Sequence, residues 1–274
     1  MALTKVIGSG LGAVTQDGAA TFNEGSADVD FRVESNGNAN ALIVDGGHST
    51  VGINTAAVSN RTLKIEGEGN TGAILSLNES TRGGLVEFSA GSGTELYIGS
   101  ELGILGSGNN NEFLIHTGVS ALKIDRTGAI SKPKQPAFSV RPTSNINNIA
   151  VGSDVTIAMA TEIFDQNSDY NNSTYTFTAP VSGKYRFDYA IRAQDVDTAS
   201  SYYLSRLNTS NRNYDITIDT DEYNSDLEYL AFSNSVLADM DSGDTAILKI
   251  YQDAGTSQTD INANNTRFSG NLVA

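Results

Sequence analysis

Carboxylates are the reactive side chains this sequence holds in quantity: 32 Asp and Glu against 17 Lys and Arg and two His. Two runs concentrate them. Asp219-Thr-Asp221-Glu222 and Asp239-Met-Asp241-Ser-Gly-Asp244 gather oxygens as a hard cation such as calcium requires. Neither has the bidentate Glu that completes a helix–loop–helix calcium site, so no cofactor is assigned and calcium stays the one candidate. Carboxylate pairs also run glycoside hydrolysis, where an acid and a base or nucleophile flank the scissile bond. This chain offers many such pairs and its sequence singles out none. His48-Ser49 follow Asp45 in a turn, without a Gly-x-Ser-x-Gly elbow to make them a hydrolytic site. Gly8, Gly10 and Gly12 lack the Lys-Ser/Thr of a phosphate loop. Cysteine is absent, and His48 and His116 alone cannot make a His-rich metal centre. The expectation is a protein that is not an enzyme, with no catalytic residue and no metal ligand.

Composition limits the partners. The net charge is −15, which repels nucleic-acid phosphates and anionic lipid surfaces. No run approaches the roughly 20 apolar residues of a membrane span, so neither nucleic acid nor membrane insertion is expected. The opening MALTKVIGSG has no apolar stretch of signal-peptide length, and the expectation is synthesis in a cytoplasm. Gly, Asn, Ser and Thr are abundant and helix-favouring runs are nearly missing. Such a chain reads as all-β, with short strands and tight turns.

The elements that position any site centre on Tyr170 to Tyr189. Tyr175-Thr-Phe177-Thr and Tyr185-Arg-Phe187-Asp-Tyr189-Ala-Ile191 alternate aromatic and polar residues, so each run puts its aromatics on one face of a strand. Ala179-Pro180-Val181-Ser182-Gly183 supplies the turn. The wider spacing is Asp165-x4-Tyr170-x6-Phe177-x5-Gly183-x-Tyr185-x-Phe187-x-Tyr189. It resembles the signature of C1q-like domains, the trimeric jelly rolls related to tumour necrosis factor. That family begins the pattern with a Phe six positions before the Asp; here the position is Met159, an apolar departure. Ala137-Phe138-Ser139-Val140 looks like the family's first strand, and Asp239 to Leu248 like the turn and strand before its last hairpin. Arg267-Phe268-Ser269-Gly270-Asn271-Leu272 looks like its closing strand.

The resemblance implies a C-terminal jelly-roll head over 137–274. Its expected strands are 138–141, 154–164, 174–178, 183–191, 202–207, 227–237, 245–251 and 267–272. It further implies a homotrimer with both chain ends at the base, and some C1q-like trimers bind calcium near the apex. Counting strands then puts 253–265, 208–226 and the Pro180 turn at the far tip. These loops carry the candidate receptor-binding residues Asn211, Arg212, Tyr214, Asp219, Asp221, Tyr223, Asp253, Gln258, Asp260 and Asn264. Tyr, Asn, Asp and Arg on exposed loops suit sugars and other polar surfaces.

The first half holds an internal repeat. Asp30-Phe31-Arg-Val-Glu-Ser35, Ala41-Leu-Ile-Val44-Asp45 and Val51-Gly-Ile53 return as Glu112-Phe113-Leu-Ile-His-Thr117, Ala121-Leu-Lys-Ile124-Asp125 and Gly128-Ala-Ile130. Further short strands are expected at 62–66, 73–77, 85–88 and 95–98. Such strands bury too little apolar surface, at about 25 cal/mol per Å², to offset the ordering of each residue at about 1–2 kcal/mol. Three chains wrapped about one axis resolve the deficit, so 26–131 reads as a trimeric β shaft, with a monomeric β-sandwich as the alternative. The repeat resembles the shafts of phage tail fibres and other virion appendages. Residues 1–25 are the expected docking arm, and the proline-rich stretch 132–142 a stiff, extended joint running into the first head strand. The whole reads as a homotrimeric phage tail fibre on the virion, docked to tail or capsid proteins by its N terminus and binding a host surface glycan or protein with its head. A capsid-attached head fibre and a polysaccharide-degrading tailspike are the alternatives.

Overall fold

Most of the alternating runs become strands where the chain is described. The computed structural model describes residues 30–36, 38–53, 55, 63–65, 84–88, 96–105 and 112–274. The N-terminal arm, the predicted strand 73–77 and most turn clusters between the repeats lie outside the described residues. The chain divides into two compact units, 1–78 and 79–274.

The first unit holds β1 (Phe31–Ser35), β2 (Asn38–Asp45), β3 (Thr50–Ile53) and β4 (Leu63–Ile65), in one sheet of that order. Phe31 opposes Val44, Val33 opposes Leu42, Leu42 opposes Ile53 and Val44 opposes Val51. Opposed residues share a face, so these six apolar side chains lie on one side. Val33, Val44 and Ile53 are exposed there.

The second unit opens with β5 (Leu85–Phe88), β6 (Leu96–Ser100), a five-residue helix α1 (Glu101–Leu105), β7 (Phe113–His116), β8 (Ser120–Ile124) and β9 (Ile130–Ser131). The strands form an antiparallel sheet in sequence order. Its register again puts most of the apolar residues on one face, with Ser100 among them: Val86, Phe88, Leu96, Ile98, Phe113, Ile115, Leu122, Ile124 and Ile130; Leu85 and the buried Leu114 lie on the other. Phe88 is 52% exposed and Ile130 64%. The repeat is thus the same device twice, since Phe31↔Val44 and Phe113↔Ile124 are equivalent pairs. Its aspartates close the following turn. Asp45 Oδ1 accepts from the His48 amide at 2.9 Å, and Asp125 Oδ1 from the Thr127 and Ala129 amides at 2.8 and 2.9 Å. A bond from Thr127 Oγ1 at 2.7 Å, together with these amides, holds the Asp125 carboxyl below its ordinary value, and the His48 amide does the same for Asp45.

The proline-rich joint is a turn, not an extended rod. The Gln135 amide donates to Lys132 O at 3.0 Å, with Pro133 at the second position, where its fixed φ suits a β-turn. Gln166 Nε2 pins the turn through Lys132 O and Gln135 O at 2.8 and 2.7 Å.

Two six-stranded sheets follow, stacked into a jelly roll. The strands are β10 (Ala137–Arg141), β11 (Val155–Thr156), β12 (Thr161–Asp165), β13 (Tyr170–Asn171), β14 (Thr176–Thr178), β15 (Gly183–Val196), β16 (Tyr202–Thr209), β17 (Asn213–Asp219), β18 (Leu227–Met240), β19 (Thr245–Gln252), β20 (Asp260–Ile261) and β21 (Arg267–Leu272). One sheet runs β12-β10-β21-β15-β18, with β20 beside β15. The other runs β13-β14-β19-β16-β17, with β11 beside β19.

Three expectations need correction. The single strand predicted at 154–164 is two, β11 and β12, in different sheets; Ile157 and Met159 between them turn inward and are buried. Tyr175 is not in a strand but in a turn with φ 60°, so it does not share a face with Phe177. The stretch 208–226, read as one long loop, contains β17, which pairs with β16 from Tyr202↔Asp219 to Asn208↔Asn213.

The signature residues meet in one aromatic cluster. Phe138 stacks on Tyr170 and Phe177 with ring centroids 5.1 and 5.0 Å apart and meets Phe268 edge-on at 5.1 Å. Phe187 packs on Phe177 and Phe268 at 5.6 and 5.8 Å. Tyr185, Tyr189 and Met159 are buried around them. The Tyr170 hydroxyl donates to Met159 O at 3.2 Å, and Asp165 accepts from the Asp169 and Tyr170 amides at 3.1 and 2.9 Å. Gly183, at the start of β15, faces the backbone of Ala274. Gly270 leaves room for two rings: a Cβ there would lie 2.6 Å from Phe187 and 2.7 Å from Phe138. Gly270→Ala should therefore overpack the cluster and cost about 1–3 kcal/mol in denaturant unfolding; an unchanged midpoint would mean the rings give way freely.

Candidate binding site at the distal loops

Ala137 pairs with Asn271, so the jelly roll begins and finishes at one end, here called proximal. Following the strands from there places each candidate. Asp219 closes β17 at the distal end, with Asp221 and Tyr223 exposed in the loop after it. Asp253 and Gln258 lie in the distal loop between β19 and β20, Asp260 in β20, and Asn264 in a 3-10 turn before β21. Asn211 and Arg212 are not distal. The missed strand β17 carries the chain back across the sheet, so the β16–β17 hairpin lies at the proximal end. There Asn211 Nδ2 donates to Asp244 Oδ2 at 2.6 Å. Tyr214 is a half-buried strand residue packed against the core. The Pro180 turn is proximal too: Ala179 N donates to Asp244 O at 2.8 Å, and Lys184 N to Ala274 O at 2.7 Å.

The distal loops are set by a buried polar network that the sequence reading passed over. Asp197 is 1% exposed. Its Oδ2 accepts from the Thr256 and Ser257 amides, the latter at 2.7 Å, and its Oδ1 from the Ala199 amide at 2.9 Å. Burial alone would push this carboxyl up, but those amides outweigh it and hold it below its ordinary value. Gln252, fully buried, donates to Ser257 O at 2.8 Å and accepts from the Thr259 amide at 3.2 Å. The Tyr203 hydroxyl donates to Asp197 O at 3.1 Å and hydrogen-bonds Thr259 Oγ1 at 2.7 Å. Gly255 has φ 132°, and a Cβ there would run into Asp197 Oδ2. The neighbouring loop is fastened as well: Asp260 Oδ1 accepts from the Asn148 amide at 2.7 Å, and Gln258 Nε2 donates to Ile149 O at 3.1 Å.

This arrangement is a preorganised, acidic rim. Asp219 raises the carboxyl of Asp221, first through a hydrogen bond between them and then by its charge. The second calcium candidate is engaged differently. Asp244 Oδ1 accepts from Ser210 Oγ at 2.7 Å and Oδ2 from the Asp241 amide at 2.7 Å, which hold it below its ordinary value. Asp239 pairs with Lys184. Among the described residues no three His, Cys, Asp or Glu side chains converge as metal ligands do. The rim can accept hydrogen bonds from hydroxyl or cationic groups and disfavours anions.

The model of the C1q domain family matches residues 137–273. Among solved structures, the globular domain of zebrafish complement 1qA protein is 20% identical, covering 51% of this chain and 98% of its own, at a TM-score of 0.39. A crystal structure of murine APRIL at pH 8.0 is 10% identical, with 51% and 100% covered, at a TM-score of 0.38. No curated protein matches the chain. C1q and tumour necrosis factor-like domains are ligand-binding or structural modules, and no enzymatic family is indicated.

Asp197→Asn puts an amide NH2 or a weaker acceptor against three amide donors and should cost about 2–3 kcal/mol. Because the folded carboxyl is lowered, its contribution is full above about pH 4 and lost as pH falls through the folded value. Stability measured against pH should therefore show a shallower acid limb in the variant. Equal acid limbs would remove Asp197 as the organiser of the loop.

Proposed function

Because this chain belongs to the C1q family, we propose that it is a homotrimeric, non-enzymatic fibre protein: a β shaft that spaces and a jelly-roll head that binds. The observation that carries the reading is the pair of repeat sheets ahead of the head, each with a mostly apolar face that a single chain leaves partly exposed. Sheets of that kind are stable when the face is covered, and identical chains about a three-fold axis offer the same face to one another. The head bears its own exposed apolar residues on the β12-β10-β21-β15-β18 sheet. Ile163 and Phe164 lie on edge strand β12, and Leu237 on the opposite edge strand β18 is 63% exposed. A ring of three heads sets one edge against the next and buries them. Three identical heads also bind a repeated surface with gained avidity.

Repeat shaft and adhesive head in this order fit an appendage of a phage particle, with the N-terminal arm on the virion and the head on the host cell. Labelling intact particles with an antibody to the head tests that assignment: label on the tail supports a tail fibre, and label on the capsid shell reassigns the protein to head decoration. Assembly is tested by light scattering. The full chain should have the mass of three copies, and Val44→Asp with Ile124→Asp, each setting a charge in an apolar face, should lower the midpoint of shaft unfolding. A monomer at micromolar concentration overturns the fibre.

A further inference from the structure

The outer face of the β17-β16-β19 sheet carries an aromatic pair. Tyr202 and Tyr251 stand on adjacent strands with ring centroids 5.8 Å apart and planes inclined by 24°. Their neighbours Tyr203, Ser205, Ile250 and Gln252 are fully buried, so by strand alternation these two rings point away from the core. Both are half-buried, which leaves ring surface at the solvent. Carboxylates border them. Asp219 lies opposite Tyr202 across the β16–β17 ladder, and the Tyr251 hydroxyl donates to Asp253 Oδ1 at 3.3 Å. The base of the pair is rigid, since Tyr202 O accepts from the Asp253 amide at 3.1 Å and from Ser200 Oγ at 3.0 Å.

A stacked aromatic pair set among acceptors is the complement of a sugar ring, which has an apolar C–H face and a rim of hydroxyl donors. The charge beside it selects further. Asp219, Asp221 and Asp253 repel a carboxylated sugar. The pair also stays accessible in an assembly, because Ile163, Phe164 and Leu237 lie on the other sheet. We propose that Tyr202 and Tyr251, with Asp219 and Asp253, form a platform that binds a neutral hexopyranose of a surface glycan, three platforms to a trimer.

The proposal rests on the adhesive reading of the head, and its test separates the two. The full-length protein is titrated with glucose-, galactose- and mannose-terminated neutral oligosaccharides and with sialylated ones, and host-cell adhesion is measured alongside. Tyr202→Ala and Tyr251→Ala, each checked for native mass, should weaken neutral-sugar binding about tenfold or more, while Tyr251→Phe keeps most of it. Sialylated chains should not bind. Unchanged affinity in both alanine variants, preference for the sialylated chains, or failure of every neutral sugar overturns the platform. If wild-type adhesion to cells persists in any of those cases, the adhesive reading stands without it; if the wild type does not adhere at all, that reading falls as well.

Discussion

The head depends on the fit between a missing side chain and two rings. Gly270, on the closing strand β21, lets Phe138 of β10 and Phe187 of β15 approach from either side. β21 is the central strand that joins those two, so the first strand of the jelly roll is completed only by the last. Aromatic rings then spread the contact into the facing sheet through Phe177 and Tyr170. Much of the fold's stability thus comes from contacts distant in sequence, which lowers the folding rate of such topologies.

The two ends of the sandwich are held differently. Proximally, short loops staple to one another through Asp244, whose two oxygens take donors from Ser210, Asn211 and Asp241. Distally, the acceptors and donors are interior: Asp197, Gln252 and Tyr203 hold the 253–259 loop from beneath, leaving its outer polar groups for solvent or a ligand. On the flank, Arg206 is tied bidentately to Asp215 at 2.8 and 3.0 Å and to Asp154 at 2.6 Å, which fixes the edge strand β17 to the sheet carrying the tyrosine pair. Binding residues are disproportionately found on loops that a rigid scaffold positions.

Much of this was legible in the sequence, and the gaps have physical reasons. The Tyr185 to Ile191 alternation marks β15 because one face is deeply buried and the other wet. β17 has the same period in Tyr214, Ile216 and Ile218, but it is an edge strand whose inward residues are only half-buried, and its many Asp and Asn residues read as loop. That omission moved Asn211 and Arg212 to the wrong end, since each antiparallel strand reverses direction. The three prolines of 132–142 suggested a stiff, extended joint; a proline also suits the second position of a turn, and nothing local chooses between them. Asp197 was invisible as an organiser because its partners lie near residue 256, far along the chain. The repeat aspartates could be read as a pattern before their role as turn caps could be known.

Because Ala137 lies beside Asn271, the first and last strands of the jelly roll meet at one end, like the contacts of a bulb in its socket. A pull applied at the opposite rim would reach that end through neighbouring strands β10 and β21, which share a ladder and would be loaded together in shear. A head mounted this way transmits force without being pulled open along its length. Under the proposed adhesive role it is also a replaceable terminal: changes at the rim would alter what is gripped while the socket, and the aromatic seam above it, stay as they are.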